Sequence, residues 1–382
     1  MHVGFALLTL FPGRVGGSET YVRGLLGAFA DGHGPERVTV LANRHVVEPY
    51  AGFERGPVRL HEVTSYRPGD SSATRLMAML SGRLAPKLVE RDVPRDLDVL
   101  HHPVTVPIPR ATRPRVVSLQ DLQHHELPGM FRAAERRFRG WAYDDSARTA
   151  DLVMVPSLHT RAALQRYAGV PPERVVVAPH GIDHDRFTHA PDAADAELDA
   201  LGLPDRFVVF PGNLWPHKNH ERLIEALALT ADRDTTLILT GQQGPRLAEL
   251  LEQAGRRGVA DRVRHLGYLP AAQVPALYRR ATGMVFPSLF EGFGFPVLEA
   301  MACGCPVAAS TAGSLAELVG EATIPLEPED PRDIARALDE LTGDAERRAA
   351  LRQAGLARAA QYGWEASARA HAEAYARVAA DS

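Results

Sequence analysis

The chain has 382 residues, more than one hydrophobic core usually holds, so two domains are expected. Charged residues make up 24% and the formal net charge is -4, which excludes a global cationic field that would gather nucleic acid. The only cysteines, Cys303 and Cys305, are too close for a normal disulfide and too few for a zinc site, as a reducing cytosol allows.

The first apolar run, Val3–Leu10, is cut short by Pro12 and Gly13 and has no basic stretch before it. It reads as a buried strand rather than a signal peptide. Strands are predicted next at Val38–Leu41, Val58–Val63, Val99–His101, Arg115–Leu119, Leu152–Val155 and Val175–Ala178, after a first one at Val3–Leu8. Helical periodicity falls between them, for example at Tyr21–Phe29 and Arg161–Tyr167. Gly181–Pro204 is polar and rich in Asp and Ala, and reads as a linker. A second block follows, with strands at Phe207–Phe210, Thr236–Leu239, Val263–Leu266, Met284–Phe286, Val307–Ala309 and Thr323–Pro325. Helices at Glu221–Leu229, Gly244–Ala254 and Val274–Arg280 separate them, and a last helix spans Trp364–Val378. This βα alternation predicts two doubly wound parallel sheets, with ligands at the carboxyl ends of the strands. The expected division is 1–185, 186–363 and a terminal helix at 364–382. No run approaches the length that spans a bilayer, and a cytoplasmic location is expected.

The most informative segment is Glu291-Gly292-Phe293-Gly294-Phe295-Pro296-Val297-Leu298-Glu299. Pro296 suits the start of a helix and Gly304 its end. Glu291 then lies in a loop and Glu299 one turn inside the helix. The free amides and partial positive charge of that helix end attract an anion such as a phosphate, and Glu299 can accept hydrogen bonds from sugar hydroxyls. Phosphate and polyhydroxyl together suggest a nucleotide-sugar. The alternative is a plain strand–loop–helix unit with both glutamates solvated.

Four further segments follow predicted strands. Pro12–Thr20 carries Gly16 and Gly17, which let backbone amides approach an anion, with Ser18 as the expected helix cap. It is not G-x-G-x-x-G, so a dinucleotide-dependent oxidoreductase gains little. Phe210–His220 carries Gly212, Lys218 and Asn219, and Lys218 is placed to reach a diphosphate as a point charge. Ser118–Pro128 carries Asp121 and His124, either of which can contact a sugar or an acceptor. His265–Pro270 carries Tyr268 and Leu269.

These segments resemble the retaining GT-B glycosyltransferases of family 4, over nearly the whole chain. The resemblance implies two Rossmann-like domains facing across a cleft, the terminal helix returning to the first. It implies that Glu299 binds the nucleotide ribose, that Glu291 and the Gly292–Phe295 amides hold the transferred sugar, and that the Tyr268–Leu269 loop walls the base pocket. The Trp215-Pro216-His217-Lys218-Asn219-His220 form resembles a bacterial mannosyltransferase branch. Two positions depart from the family: Gln120 stands where relatives often carry a histidine, and Asn213-Leu214 where many carry an arginine. The expected activity is metal-independent transfer of a hexose, mannose from GDP-mannose first, to a glycan, lipid-linked or small-molecule acceptor, with no cofactor. A sugar-nucleotide epimerase, a phosphorylase and a catalytically degenerate carbohydrate-binding protein are the alternatives. No lysine for pyridoxal phosphate can be identified, which tells against the phosphorylase.

Three D-x-D matches, Asp96-Leu97-Asp98, Asp183-His184-Asp185 and Asp232-Arg233-Asp234, evoke a metal clamp. The first and third precede strands, the wrong end of a parallel sheet, and the second lies in the expected linker. His180 and His184 have helix-like spacing, but Gly181 between them argues for a loop. Arg75–Glu90 and Phe131–Trp141 are basic stretches with interleaved apolar residues, and Arg148 and Arg161 extend the basic character. Either could lie on an anionic membrane face. The pattern slightly favours instead a solvated helix face with its apolar side turned inward.

Overall fold

The computed structural model describes residues 1–13, 16–104, 106–109 and 114–381, without the side chains of Ser72 and Arg83. Arg14 and Val15 of the glycine-rich segment therefore lie outside the described residues. Two compact units emerge, Met1–Gly181 with Gly363–Ser382, and Ile182–Tyr362.

The first unit holds a seven-stranded sheet in the order β3-β2-β1-β4-β5-β6-β7. These are β1 His2–Leu7, β2 Arg37–Ala42, β3 Val58–Glu62, β4 Val99–His102, β5 Arg115–Ser118, β6 Leu152–Val155 and β7 Val175–Val177. The second holds six strands in the order β10-β9-β8-β11-β12-β13. These are β8 Phe207–Pro211, β9 Thr236–Thr240, β10 Val263–His265, β11 Gly283–Phe286, β12 Val307–Ser310 and β13 Ile324–Leu326. All the described pairings are parallel. Central strands such as β6 and β11 are apolar along their whole length because helices cover both faces of a parallel sheet.

The terminal helix Trp364–Ala380 belongs to the first unit and lies along the helix Gly17–Ala30. Gly24 makes the approach possible: a Cβ there would stand 2.0 Å from the Trp364 ring. A buried chain of hydrogen bonds fixes the register. Tyr375 pairs with His101, His101 with Ser118 and Ser118 with Tyr21, each at 2.7 Å, and Tyr21 pairs with His371 at 2.8 Å.

Two expectations change. The expected linker is part of the second unit, because Ile182, Phe187, Ala194 and Leu198 are buried in its core and Arg279 pairs with Asp192 and Asp195. Its polar composition hid widely spaced apolar anchors. The basic stretch 75–90 forms two helices, Ser72–Leu84 and Pro86–Glu90, broken ahead of Pro86. The first turns its large apolar residues outward, not inward, because Gly82, Ala78 and Met79 occupy its inner side.

Candidate functional site

In the second unit β8 has β9 on one side and β11 on the other, so the winding direction reverses between β8 and β11. Loops leaving the carboxyl ends of two such strands diverge and open a crevice. Lys218 comes from the loop after β8 and Glu291 from the loop after β11.

The lysine is set by its neighbour. Asn219 has φ 64°, alone among the described non-glycine residues in the left-handed region. Its side-chain amide donates to the carbonyls of Pro287 (3.0 Å) and Pro328 (2.6 Å), tying the β8 loop to the loops after β11 and β13. Asparagine suits this strained position because its short polar side chain bonds backbone locally. Lys218 Nζ donates to Glu291 Oε1 at 2.7 Å and lies 4.8 Å from the Phe286 ring centroid. With 8% of the lysine exposed, the ammonium needs a counter-charge, and Glu291 supplies it. The residues read separately as phosphate and sugar contacts are one ion pair here. Gly212, with φ 146°, lines the lysine stem, 3.6 Å from where its Cβ would stand.

Glu299 lies on the helix Phe295–Ala302, with Pro296 in its first turn and Gly294 as its cap. Gly294 has φ 110°, and a Cβ there would stand 2.6 Å from Leu315. Burial pushes the half-buried Glu299 carboxyl up to about 7, and the charge of Arg186 opposes the shift. A carboxyl poised near neutrality beside such a crevice is a candidate functional group. The loop between the two glutamates is clamped by Ser314, whose hydroxyl donates to the carbonyls of Glu291 (2.8 Å) and Phe293 (3.3 Å). Gly313 allows this approach, since a Cβ would stand 2.8 Å from the Glu291 carbonyl oxygen. Gly292 is half-buried, and Phe293 meets Phe295 edge-to-face at 5.2 Å. Tyr268 is 74% exposed beside the buried Leu269.

Sequence reasoning missed Arg186, Gly313 and Ser314. The Gly-Ser pair after β12 was the available signal for the last two. Asn213, read as a lost cation, serves as an acceptor for the Gln242 amide at 2.9 Å.

In the first unit the winding reverses between β1 and β4, and the Gly16-Gly17 loop follows β1. Gly16, at φ 53°, caps the helix that starts at Gly17. Ser18 lies inside the first turn, not at the cap, because the turn needs a left-handed residue. After β5, Asp121 Oδ1 accepts from the Gln123 amide at 3.0 Å. His124 is buried at 1% exposure rather than open to a ligand. Its Nε2 stands 3.4 Å from Asp144 Oδ1, and neither ring nitrogen has a hydrogen-bond partner among the described residues. His125 is half-buried, bonds Asp144 Oδ2 at 2.9 Å and stacks on Tyr167. Burial pushes the Asp144 carboxyl up, but the hydrogen bond from His125 and the nearness of both histidines leave it below the usual range. Ligand atoms of His124, His125 and Asp144 lie within 4.8 Å of one another, a spacing that can hold a metal, though Arg148 also approaches Asp144 at 3.5 Å. Gln120, at the departing family position, is paired with the buried His180 at 2.6 Å.

The acidic pairs have structural partners. Asp98 accepts from the His2 amide at 2.7 Å, and Asp96 meets His2 and Arg37. Asp232 accepts from the Thr235 hydroxyl at 2.7 Å and pairs with Arg206.

Comparison with known proteins bears on both units. Residues 197–358 match the family model described as glycosyl transferases group 1, and residues 15–186 match that of glycosyltransferase family 4. O-antigen chain mannosyltransferase B of Escherichia coli is 31% identical over 276 residues, 70% of this chain and 71% of that protein. A GDP-mannose-dependent alpha-(1-6)-phosphatidylinositol monomannoside mannosyltransferase of Mycolicibacterium smegmatis is 30% identical over 78% of this chain and 85% of its own. The D-inositol 3-phosphate glycosyltransferase of Thermobispora bispora is 37% identical, and the match spans about half its length, 51%. The Anabaena protein HepE, solved with UDP and glucose, superposes with TM-score 0.75 over 99% of this chain and 100% of its own, at 23% identity, a likeness of fold.

Proposed function

The chain belongs to the group 1 glycosyltransferases, with an amino-terminal half of the family 4 type, and on that premise we propose that it transfers a hexose from a nucleoside-diphosphate sugar with retention of configuration. The donor is GDP-mannose and the acceptor a glycan, a lipid-linked sugar or a small polyol. The mannosyltransferases among the relatives support the sugar. The observation that carries the reading is the Lys218–Glu291 pair at the β8/β11 switch point, one loop from the carboxyl of Glu299.

In this reaction the bond from the sugar's anomeric carbon to the diphosphate oxygen breaks. The bond to the acceptor oxygen forms on the same face, and the acceptor proton passes to the departing phosphate. Charge grows on the phosphate as it leaves, so a fixed ammonium helps the transition state more than the ground state. Lys218 takes that part, turning from Glu291 toward the phosphate. Glu291 and the amides of Gly292–Phe295 hold the ring, and Glu299 accepts from the ribose hydroxyls. Positioning and charge do the work, and no divalent metal is needed on the diphosphate.

The test is a thermal-shift screen of nucleotides and nucleotide-sugars. A donor at 100 times its Kd stabilises by about 2.7 kcal/mol. GDP-mannose is expected to give the largest shift. Shifts with none of the nucleotides would remove the donor-site reading.

A further inference from the structure

We propose that the face made by the helices Ser72–Leu84 and Pro86–Glu90 docks on an anionic lipid bilayer. The Ser72–Leu84 helix is amphipathic in the reverse of the usual sense. Its inner side is built from small or slender residues. Gly82 sits so close to Ile108 that a Cβ would stand 2.9 Å from that side chain, and Ala78 and Met79 pack on the cluster below. Its outer side carries Leu76, Met77, Leu80 and Leu84, spaced one and two turns apart, and Leu88 continues the row on the next helix. Met77 is 69% exposed and Leu84 is 84% exposed. Five large aliphatic side chains in one row are more than scattered surface leucines, and such a patch marks an interaction site.

Charge selects the occupant. From Ser71 to Val89 the sequence contains Arg75, Arg83 and Lys87 and not one carboxylate. Nearby, Phe138 of the helix Ala133–Arg139 packs on the same cluster as Ala78 and Met79. That second helix presents Arg136 and Arg137 to solvent, with Arg132 exposed at its N-cap and Trp141 just beyond it, while its one acidic residue, Glu135, is paired with Arg139. Apolar residues that enter the acyl boundary, an indole at headgroup level and arginines around them are the composition of an interfacial surface. A second copy of this chain would bring the same cations together and be repelled. An anionic leaflet gains instead, by about fivefold in affinity for each basic residue near the surface. Docking does not depend on the proposed reaction; it bears on that reading only by favouring the lipid-linked class of acceptor.

The test is co-sedimentation of the full chain with phosphatidylcholine vesicles, with and without 30% phosphatidylglycerol, at low and high salt. The expected result is binding at least tenfold stronger to the anionic vesicles, weakened by salt. A Met77→Glu/Leu84→Glu double variant should lose at least tenfold of that binding while keeping its melting temperature, since both residues are exposed. An Arg136→Ala/Arg137→Ala variant should lose salt-sensitive binding only. No binding to anionic vesicles, or equal binding by the Met77→Glu/Leu84→Glu variant, would overturn the proposal. So would a dimer in light scattering that the same substitutions dissolve, which would assign the face to a second copy. The GDP-mannose thermal shift, run in parallel on both proteins, should be unchanged; its absence in both would sink the donor reading and leave docking standing.

Discussion

Replacing Lys218 by alanine should do two separable things. It removes the ammonium that meets the leaving phosphate, a preorganised contact whose loss typically costs on the order of 100–1000-fold in rate. It also strands Glu291, whose side chain is only 13% exposed and whose ion-pair partner among the described residues is Lys218 at 2.7 Å. Breaking a fully buried pair on one side costs about 3–5 kcal/mol; Glu291 keeps some contact with water, so about 2 kcal/mol is the working figure. In a unit of this size that lowers the melting temperature by roughly 4–8 °C. The double variant Lys218→Ala/Glu291→Ala leaves no stranded charge. It should recover most of the stability and none of the activity. Lys218→Arg should keep the pairing but recover activity only in part, since a planar fork does not replace a compact ammonium. Steady-state kinetics and calorimetric melting on the four proteins provide the assay. A folded Lys218→Ala enzyme with near wild-type kcat/KM would refute the catalytic role. A double variant as unstable as the single one would refute the electrostatic account of the pair.

Glu299, with its carboxyl held up at about 7, should give GDP-mannose an affinity that rises as pH goes from 6 to 8, because only the carboxylate accepts from both ribose hydroxyls. Calorimetry should find that dependence lost in Glu299→Gln, and an unchanged profile would remove the residue from the nucleotide site. Burial holds His101, His102, His180 and His371 of the first unit below their ordinary value, the last three to about 3, 3 and 4. They stay neutral in the fold, so their stabilisation is full above pH 6.5 and is lost as pH falls. Each costs about 1.4 kcal/mol between pH 7.5 and 5.5. His371→Gln should flatten the slope of stability against pH by about one proton in urea titrations of that unit, and an unaltered slope would contradict this. Turnover should survive EDTA, and activity abolished by chelation and restored by Mg²⁺ or Mn²⁺ would assign the diphosphate to a metal.

The thirteen strands among the described residues were legible from apolar runs bounded by turn residues, and each lies within a residue or so of its expected place. Alternation with helices fixed the parallel class, because parallel strands need crossovers. Glu291, Glu299 and Lys218 could be picked out because each follows a strand at the end where such sheets bind. What sequence did not carry was distance across the sheet. Lys218 and Glu291 are 73 residues apart and meet only because β8 and β11 are neighbours at the switch point. Arg186, in an apparent linker, and Asp144, beyond a basic stretch, were hidden for the same reason. The Ser72–Leu84 helix defeated the pattern differently. Periodicity reports that one side is apolar, but not that Gly82 and Ala78 make the opposite side the better fit to Ile108 and its neighbours.

The most direct test of the account is the stereochemistry of donor cleavage. The enzyme is incubated with GDP-mannose, and the first-formed sugar is followed by proton NMR before mutarotation. The account predicts the α anomer of the donor, formed by wild type and slowed at least 100-fold in Lys218→Ala. First-formed β anomer would contradict same-face displacement, and cleavage undiminished in Lys218→Ala would contradict the site.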